Sequence, residues 1–164
     1  AIEIFEGVVA INEKILAEDD PTRLASQHVL ARAYLADEQV EKAIEMLEGV
    51  VAIKEKILAE DDPSRLASQH VLARAYLADE QVKKAIKMLE GVVAIKEKIL
   101  AEDDPSRLVS QHELSRAYLA DEQVKKAIEM LEDVVAAEAE TLEEDNPSRQ
   151  ASKNLLQRCY ERLA

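Results

Sequence analysis

A histidine and an arginine four residues apart, His28 and Arg32, recur as His70 and Arg74 and again as His112 and Arg116. In the last copy the pair reads Asn154 and Arg158. Residues four apart on a helix share one face. A guanidinium presents a planar fork that matches a carboxylate bidentately. A ladder of such pairs is a basic stripe suited to an acidic peptide or a C-terminal carboxylate. Imidazoles beside the arginines gain charge near pH 6, so acidic ligands are expected to bind more tightly there. The competing expectation is that each arginine pairs with one of the chain's own 34 acidic residues and only helps stacking.

Other chemistries fit less well. The three histidines occur singly, without a second His or Cys at ligand spacing, whereas zinc wants about four converging ligands; no metal or other cofactor is expected. The acidic turns such as Glu60-Asp61-Asp62 lack the spaced ligands and central Gly of an EF-hand. Ser68 and His70 are two apart on a helix and do not face each other. Equivalent copies on an open surface also supply no convergent catalytic pocket, so the chain reads as non-enzymatic.

These residues are positioned by a repeat. Pro21, Pro63, Pro105 and Pro147 stand 42 residues apart, and the stretches 21–62 and 63–104 differ only at Thr22/Ser64, Glu41/Lys83 and Glu45/Lys87. A period of this size marks a repeat architecture in which each unit buries its neighbour's apolar face. Each proline follows Asp20, Asp62, Asp104 or Asn146. An Asp or Asn N-cap followed by Pro starts a helix, here helix A, about 63–78. After Asp79-Glu80-Gln81, apolar residues at helical spacing mark a longer helix B, about 81–101. Its apolar positions exceed one stripe, as expected for a helix packed on more than one side. Residues 1–18 are in phase with helix B and 147–163 with helix A. The expected order is B, A-B, A-B, A-B, A, eight helices in one array over 1–164, with repeats 21–62, 63–104 and 105–146 and a C-terminal capping helix 147–163.

Hydrophobic content is 48%, which with the periodicity argues against disorder. The net charge of −13 and the lack of a basic stretch argue against nucleic acid and anionic membrane surfaces. No apolar run approaches the length of a membrane span. The single cysteine, Cys159, stands where earlier copies carry Ala33, Ala75 and Ala117. It reads as a small buried residue, and a cytoplasmic setting fits.

Within each unit Leu30, Ala31, Tyr34, Ala43, Leu47 and Val50 follow a known pattern, and the chain resembles the tetratricopeptide (TPR) repeat family. The period corresponds to the longer variety found in kinesin light chains and NOD-like receptors, the added residues extending helix B through Lys54-Glu55-Lys56-Ile57-Leu58-Ala59. The resemblance implies an all-α, right-handed α-solenoid of helix-turn-helix repeats whose concave surface is lined by helix A. It therefore places His28, Arg32, His70, Arg74, His112, Arg116, Asn154 and Arg158 on a partner-binding surface. The implied function is a protein-interaction scaffold for a protein or peptide, here an acidic one, although the Lys/Asn carboxylate clamp of some TPR proteins is not reproduced.

Three departures stand out. The TPR tryptophan is replaced by Gln27, Gln69 and Gln111, and the glycine of the A–B turn by Glu38, Glu80 and Glu122. Gly7, Gly49 and Gly91 instead lie inside helix B, where they cost about 1 kcal/mol each unless they allow close helix approach. The near-identity of the copies reads as recent duplication, with a consensus-like or excised array as the alternative. The end faces offer a second function: self-association, giving a homo-oligomer through an uncovered Ala1, Phe5 and Val8.

Overall fold

The computed structural model describes residues 1–164. They form eight helices: α1 (Ile2–Ile15), α2 (Pro21–Ala36), α3 (Val40–Ile57), α4 (Pro63–Ala78), α5 (Val82–Ile99), α6 (Pro105–Ala120), α7 (Val124–Thr141) and α8 (Pro147–Leu163). The four prolines begin the equivalent helices α2, α4, α6 and α8, as the phase of the sequence requires. The chain divides into two compact units, Ala1–Gln81 with α1–α4 and Val82–Ala164 with α5–α8.

Each helix A starts in the same way. The Asp62 side chain accepts from the backbone N–H of Ser64 (2.8 Å) and Arg65 (3.1 Å), satisfying two of the free donors of the first turn. Asp20, Asp104 and Asn146 do the same. The third helical residue then closes the preceding helix B. Arg65 Nη1 donates to the carbonyls of Leu58 (3.0 Å) and Glu55 (3.3 Å), and Arg23, Arg107 and Arg149 reach Leu16, Leu100 and Leu142 likewise. A cation on the orphan carbonyls of a helix C-terminus is favourable for both hydrogen bonding and the helix dipole. One Asp-Pro-x-Arg segment thus ends one helix and begins the next.

The A–B turn is equally regular. Gln39 N–H bonds to Tyr34 O (2.8 Å) and Glu38 N–H to Leu35 O (3.2 Å), the paired pattern of a Schellman motif. The residue after the helix cap must then be left-handed. Glu38, Glu80 and Glu122 have φ of 60°, 61° and 59°, so glutamate occupies the conformation that glycine adopts at least cost.

In the first unit α1 packs on α2, α2 on α3, α3 on α4, and α2 also touches α4. Ala31 and Ala43 are fully buried in the α2–α3 hairpin, with Leu30 and Leu47 beside them. The second unit has the same plan, α6 touching α8, with Ser115, Ala127, Leu114 and Leu131 at the equivalent places. A fully buried leucine contributes about 2–3 kcal/mol relative to an exposed one. Polar rungs accompany this core. Tyr34, Tyr76, Tyr118 and Tyr160 each donate a short bond (2.6–2.7 Å) to Glu6, Glu48, Glu90 and Glu132 of the preceding helix B.

Two sequence expectations need correction. A Cβ built on Gly7, Gly49 or Gly91 meets nothing within 4 Å, so these glycines do not serve close helix approach. Phe5 is not uncovered: it is half-buried against Val9, Leu30, Tyr34 and Ala43. The exposed apolar residues of α1 are Ile4, Val8, Ile11 and Ile15, because a helix presents residues at this spacing on one side while Ile2, Phe5 and Val9 turn towards α2.

Candidate partner-binding surface

The arginines and histidines of helix A behave differently. Arg32 and Arg158 are exposed and held by no ion pair or hydrogen bond, and Arg74 is exposed. Arg116 pairs with Glu113 on its own helix at 2.9 Å, one instance of the internal pairing that competes with ligand recognition. Asn154 is exposed.

His28 is half-buried, and its Nδ1 lies 3.0 Å from Ser68 Oγ on α4. Ser68 is fully buried and also receives the Lys54 ammonium at 2.8 Å. Lys54 donates as well to the Ser64 hydroxyl and carbonyl. An ammonium can only donate, so the Ser68 proton goes to His28 Nδ1, and the imidazole is neutral with its proton on Nε2. Burial, then the nearby Lys54 and Arg32 charges, lower the His28 pKa to about 4. The expected gain of charge near pH 6 therefore does not occur at His28: its ring is a fixed part of an interhelix node.

The second unit has the same node with reversed polarity. His112 Nδ1 lies 3.1 Å from Ser152 Oγ, but Glu138 replaces lysine, and Ser152 donates to its Oε1 at 2.9 Å. The serine proton is thereby used, so His112 Nδ1 must be the donor. Glu138 is only 4% exposed and its Oε2 has no partner. Burial pushes its carboxyl above the usual range, opposed by the Ser152 hydrogen bond and Arg149.

Charge is segregated between helix types. α2 and α4 contain no Asp or Glu, α6 contains only Glu113 and α8 only Glu161; the other carboxylates lie on B helices and turns. In the second unit a cleft of about 770 Å³, formed by α5, α6 and α7, is lined by Glu97, Glu102, Asp103, Asp133 and Glu140 around Arg107. An acidic ligand is repelled there and finds no opposing carboxylate on α2 or α4.

The tetratricopeptide repeat sequence profile matches residues 36–98 and 64–137. The chain belongs to the tetratricopeptide repeat family. Among solved structures it is similar to the nearly identical TPR-like repeats of a putative kinesin light chain from Podosopora anserina, with 56% identity and a TM-score of 0.87 over 99% of this chain and 77% of that one. BtubC (BKLC) from P. vanneervenii shares the fold at 16% identity, TM-score 0.83, covering 98% of this chain and 64% of that one. The Sgt2 TPR domain from Aspergillus fumigatus matches at 20% identity, TM-score 0.64, over 88% and 80%. A search of curated proteins gives no match. The fold is thus the all-α, α-solenoid class of TPR repeats, whose members generally mediate protein–protein contacts and are typically non-enzymatic. No helix of this TPR chain is long and apolar enough to cross a membrane.

Several functional positions escape a reading of the sequence as separate faces. Lys54 and Lys96, read as part of a helix extension, are buried and bind Ser68 and Ser110 at 2.8 and 2.9 Å. At the former tryptophan position Gln27, Gln69 and Gln111 each donate to Glu13, Glu55 or Glu97 at 3.0 Å. A signal was present: these partners recur at a constant offset of 14 residues in successive copies, which single-helix periodicity does not inspect.

Proposed function

We propose that this TPR chain is a non-enzymatic interaction scaffold that takes an acidic peptide segment on its helix-A faces, Arg32 and Arg74 in the first unit and Arg116 and Arg158 in the second. The observation that carries the reading is the absence of any carboxylate from α2 and α4 in a chain of net charge −13. Nothing on those helices competes for the Arg32 guanidinium, so it is available for bidentate recognition. His28, His70 and His112 support the surface by ordering it. A cytoplasmic setting accords with the buried free thiol of Cys159.

The test is a titration of a fluorescein-labelled Asp/Glu-rich peptide by fluorescence anisotropy. Arg32→Ala combined with Arg74→Ala should weaken binding at least tenfold and flatten its salt dependence. Equal affinity for the variant and the parent rejects the reading. A second reading, self-association through an end face, is favoured by the exposed apolar residues of α1.

A further inference from the structure

The sequence of α6 departs from that of α4 at three places: Val109 for Ala67, Glu113 for Val71 and Ser115 for Ala73. Only Glu113 changes the charge. The same position is Val29 on α2 and Leu155 on α8, so the other three A helices carry an aliphatic side chain there. Glu113 lies one helical turn before Arg116, the arginine of the helix-A ladder.

Both Glu113 oxygens contact the Arg116 Nη1, at 3.2 and 2.9 Å. The Glu113 side chain is only 12% exposed, against 48% for Arg116. The carboxylate is thus seated in the protein and holds a guanidinium that faces solvent. A carboxylate this buried needs a donor, so Glu113 keeps Arg116 engaged. On α2 the equivalent residue to Glu113 is Val29, 40% exposed, and the helix has no carboxylate at all.

The consequence for an acidic ligand follows from charge. A peptide carboxylate arriving at Arg116 meets a cation already neutralised and a like charge one turn away. Arriving at Arg32, it meets neither. We propose that Glu113 determines where the acidic peptide is taken: it stands in for the ligand's carboxylate on Arg116 and closes the α6 face, leaving α2 with Arg32 as the open seat. This rests on the reading of the helix-A faces as an acidic-peptide surface and adds the residue that makes them unequal.

The test uses the full chain and the fluorescein-labelled Asp/Glu-rich peptide in anisotropy titrations, with circular dichroism to check the helical signal. Glu113→Gln should raise affinity by about threefold, the scale of one exposed ion pair. Arg116→Ala should cost under about twofold in the parent chain and about threefold or more in the Glu113→Gln background. The converse change, Val29→Glu, places a carboxylate one turn before Arg32 and should lower affinity by about threefold. In that background Arg32→Ala should cost less than it does in the parent. If Glu113→Gln loses its helical signal, the Val29→Glu pair of measurements decides alone. An equal cost of Arg116→Ala in both backgrounds, or a Val29→Glu chain that binds as the parent does, would overturn the inference. Arg32→Ala with Arg74→Ala, run alongside, tells the two failures apart. If that variant weakens binding while the Arg116 costs stay equal, only the role of Glu113 falls. If it binds as the parent does, the acidic-peptide reading falls and the role of Glu113 with it.

Discussion

The Lys54 ammonium lies 2.8 Å from Ser68 Oγ, whereas Ser152, two repeats on, donates its proton to Glu138. One change of charge on helix B thus reverses a hydrogen-bonded chain that crosses three helices. With lysine the order of donation runs Lys54, Ser68, His28. With glutamate it runs His112, Ser152, Glu138. The lysine version has the better balance, because Lys54 uses its protons on two hydroxyls and a carbonyl while Glu138 leaves Oε2 buried and unpaired.

Glu138→Lys is therefore expected to stabilise the second unit by about 1–2 kcal/mol, the scale of a buried unsatisfied polar group. Ser152 donates to Glu138, His112 stands behind Ser152 in the same chain of bonds, and the Arg149 charge acts on the carboxyl. Because the folded-state pKa of Glu138 is raised, its neutral form is favoured in the fold. Its contribution is fully present below the unfolded pKa and is lost as pH rises through the folded one. Urea melts should therefore show a larger advantage for Glu138→Lys at pH 7.5 than at pH 4.5. An advantage equal at the two pH values would mean that the carboxyl does not titrate as its burial requires.

Backbone substitutions separate local cost from packing. Glu80→Gly removes a side chain from a φ of 61° and should stabilise by about 0.5–1 kcal/mol. Gly49→Ala places a Cβ in open space within a helix and should add about 1 kcal/mol. Thermal melts of the single variants and the pair check both signs and their additivity. A loss of stability in Gly49→Ala would show that the glycine has a packing role after all.

His28 sets an acid limit. Its folded-state pKa of about 4 lies below the ordinary 6.5, so between those values the unfolded chain binds more protons. The stability it contributes is present above pH 6.5 and is lost as pH falls towards 4. A proton NMR titration of the ring should give a midpoint near 4, and His28→Gln should flatten the decline in melting temperature over that range. Acidic-peptide affinity should not rise at His28 between pH 8 and 5.5; a histidine-dependent rise would restore the charged-histidine role expected from the sequence.

Much of the scaffold was legible before any coordinates. Asp-Pro at a fixed phase marked each helix A, whereas glutamate in place of the turn glycine left the A–B turn open, and only the backbone shows Glu38, Glu80 and Glu122 to be left-handed. What stayed hidden depends on pairs far apart in the chain. His28 and Ser68 are 40 residues apart and on different helices, so neither residue's own face reveals the other. Lys54 looked like a solvated helix residue because burial of a charge depends on which neighbours supply acceptors. On α1, Ala1 and Val8 are exposed as expected but Phe5 is not, since only the angle of packing on α2 decides which side is free.

Recognition by the helix-A face is tested most directly by exchanging its charge. Arg32→Glu with Arg74→Glu should lose affinity for an Asp/Glu-rich peptide by at least a hundredfold and gain measurable affinity for the matching Lys/Arg-rich peptide, with the helical signal unchanged. Acidic-peptide affinity that survives the double reversal, with no gain for the basic peptide, would contradict a partner site on α2 and α4.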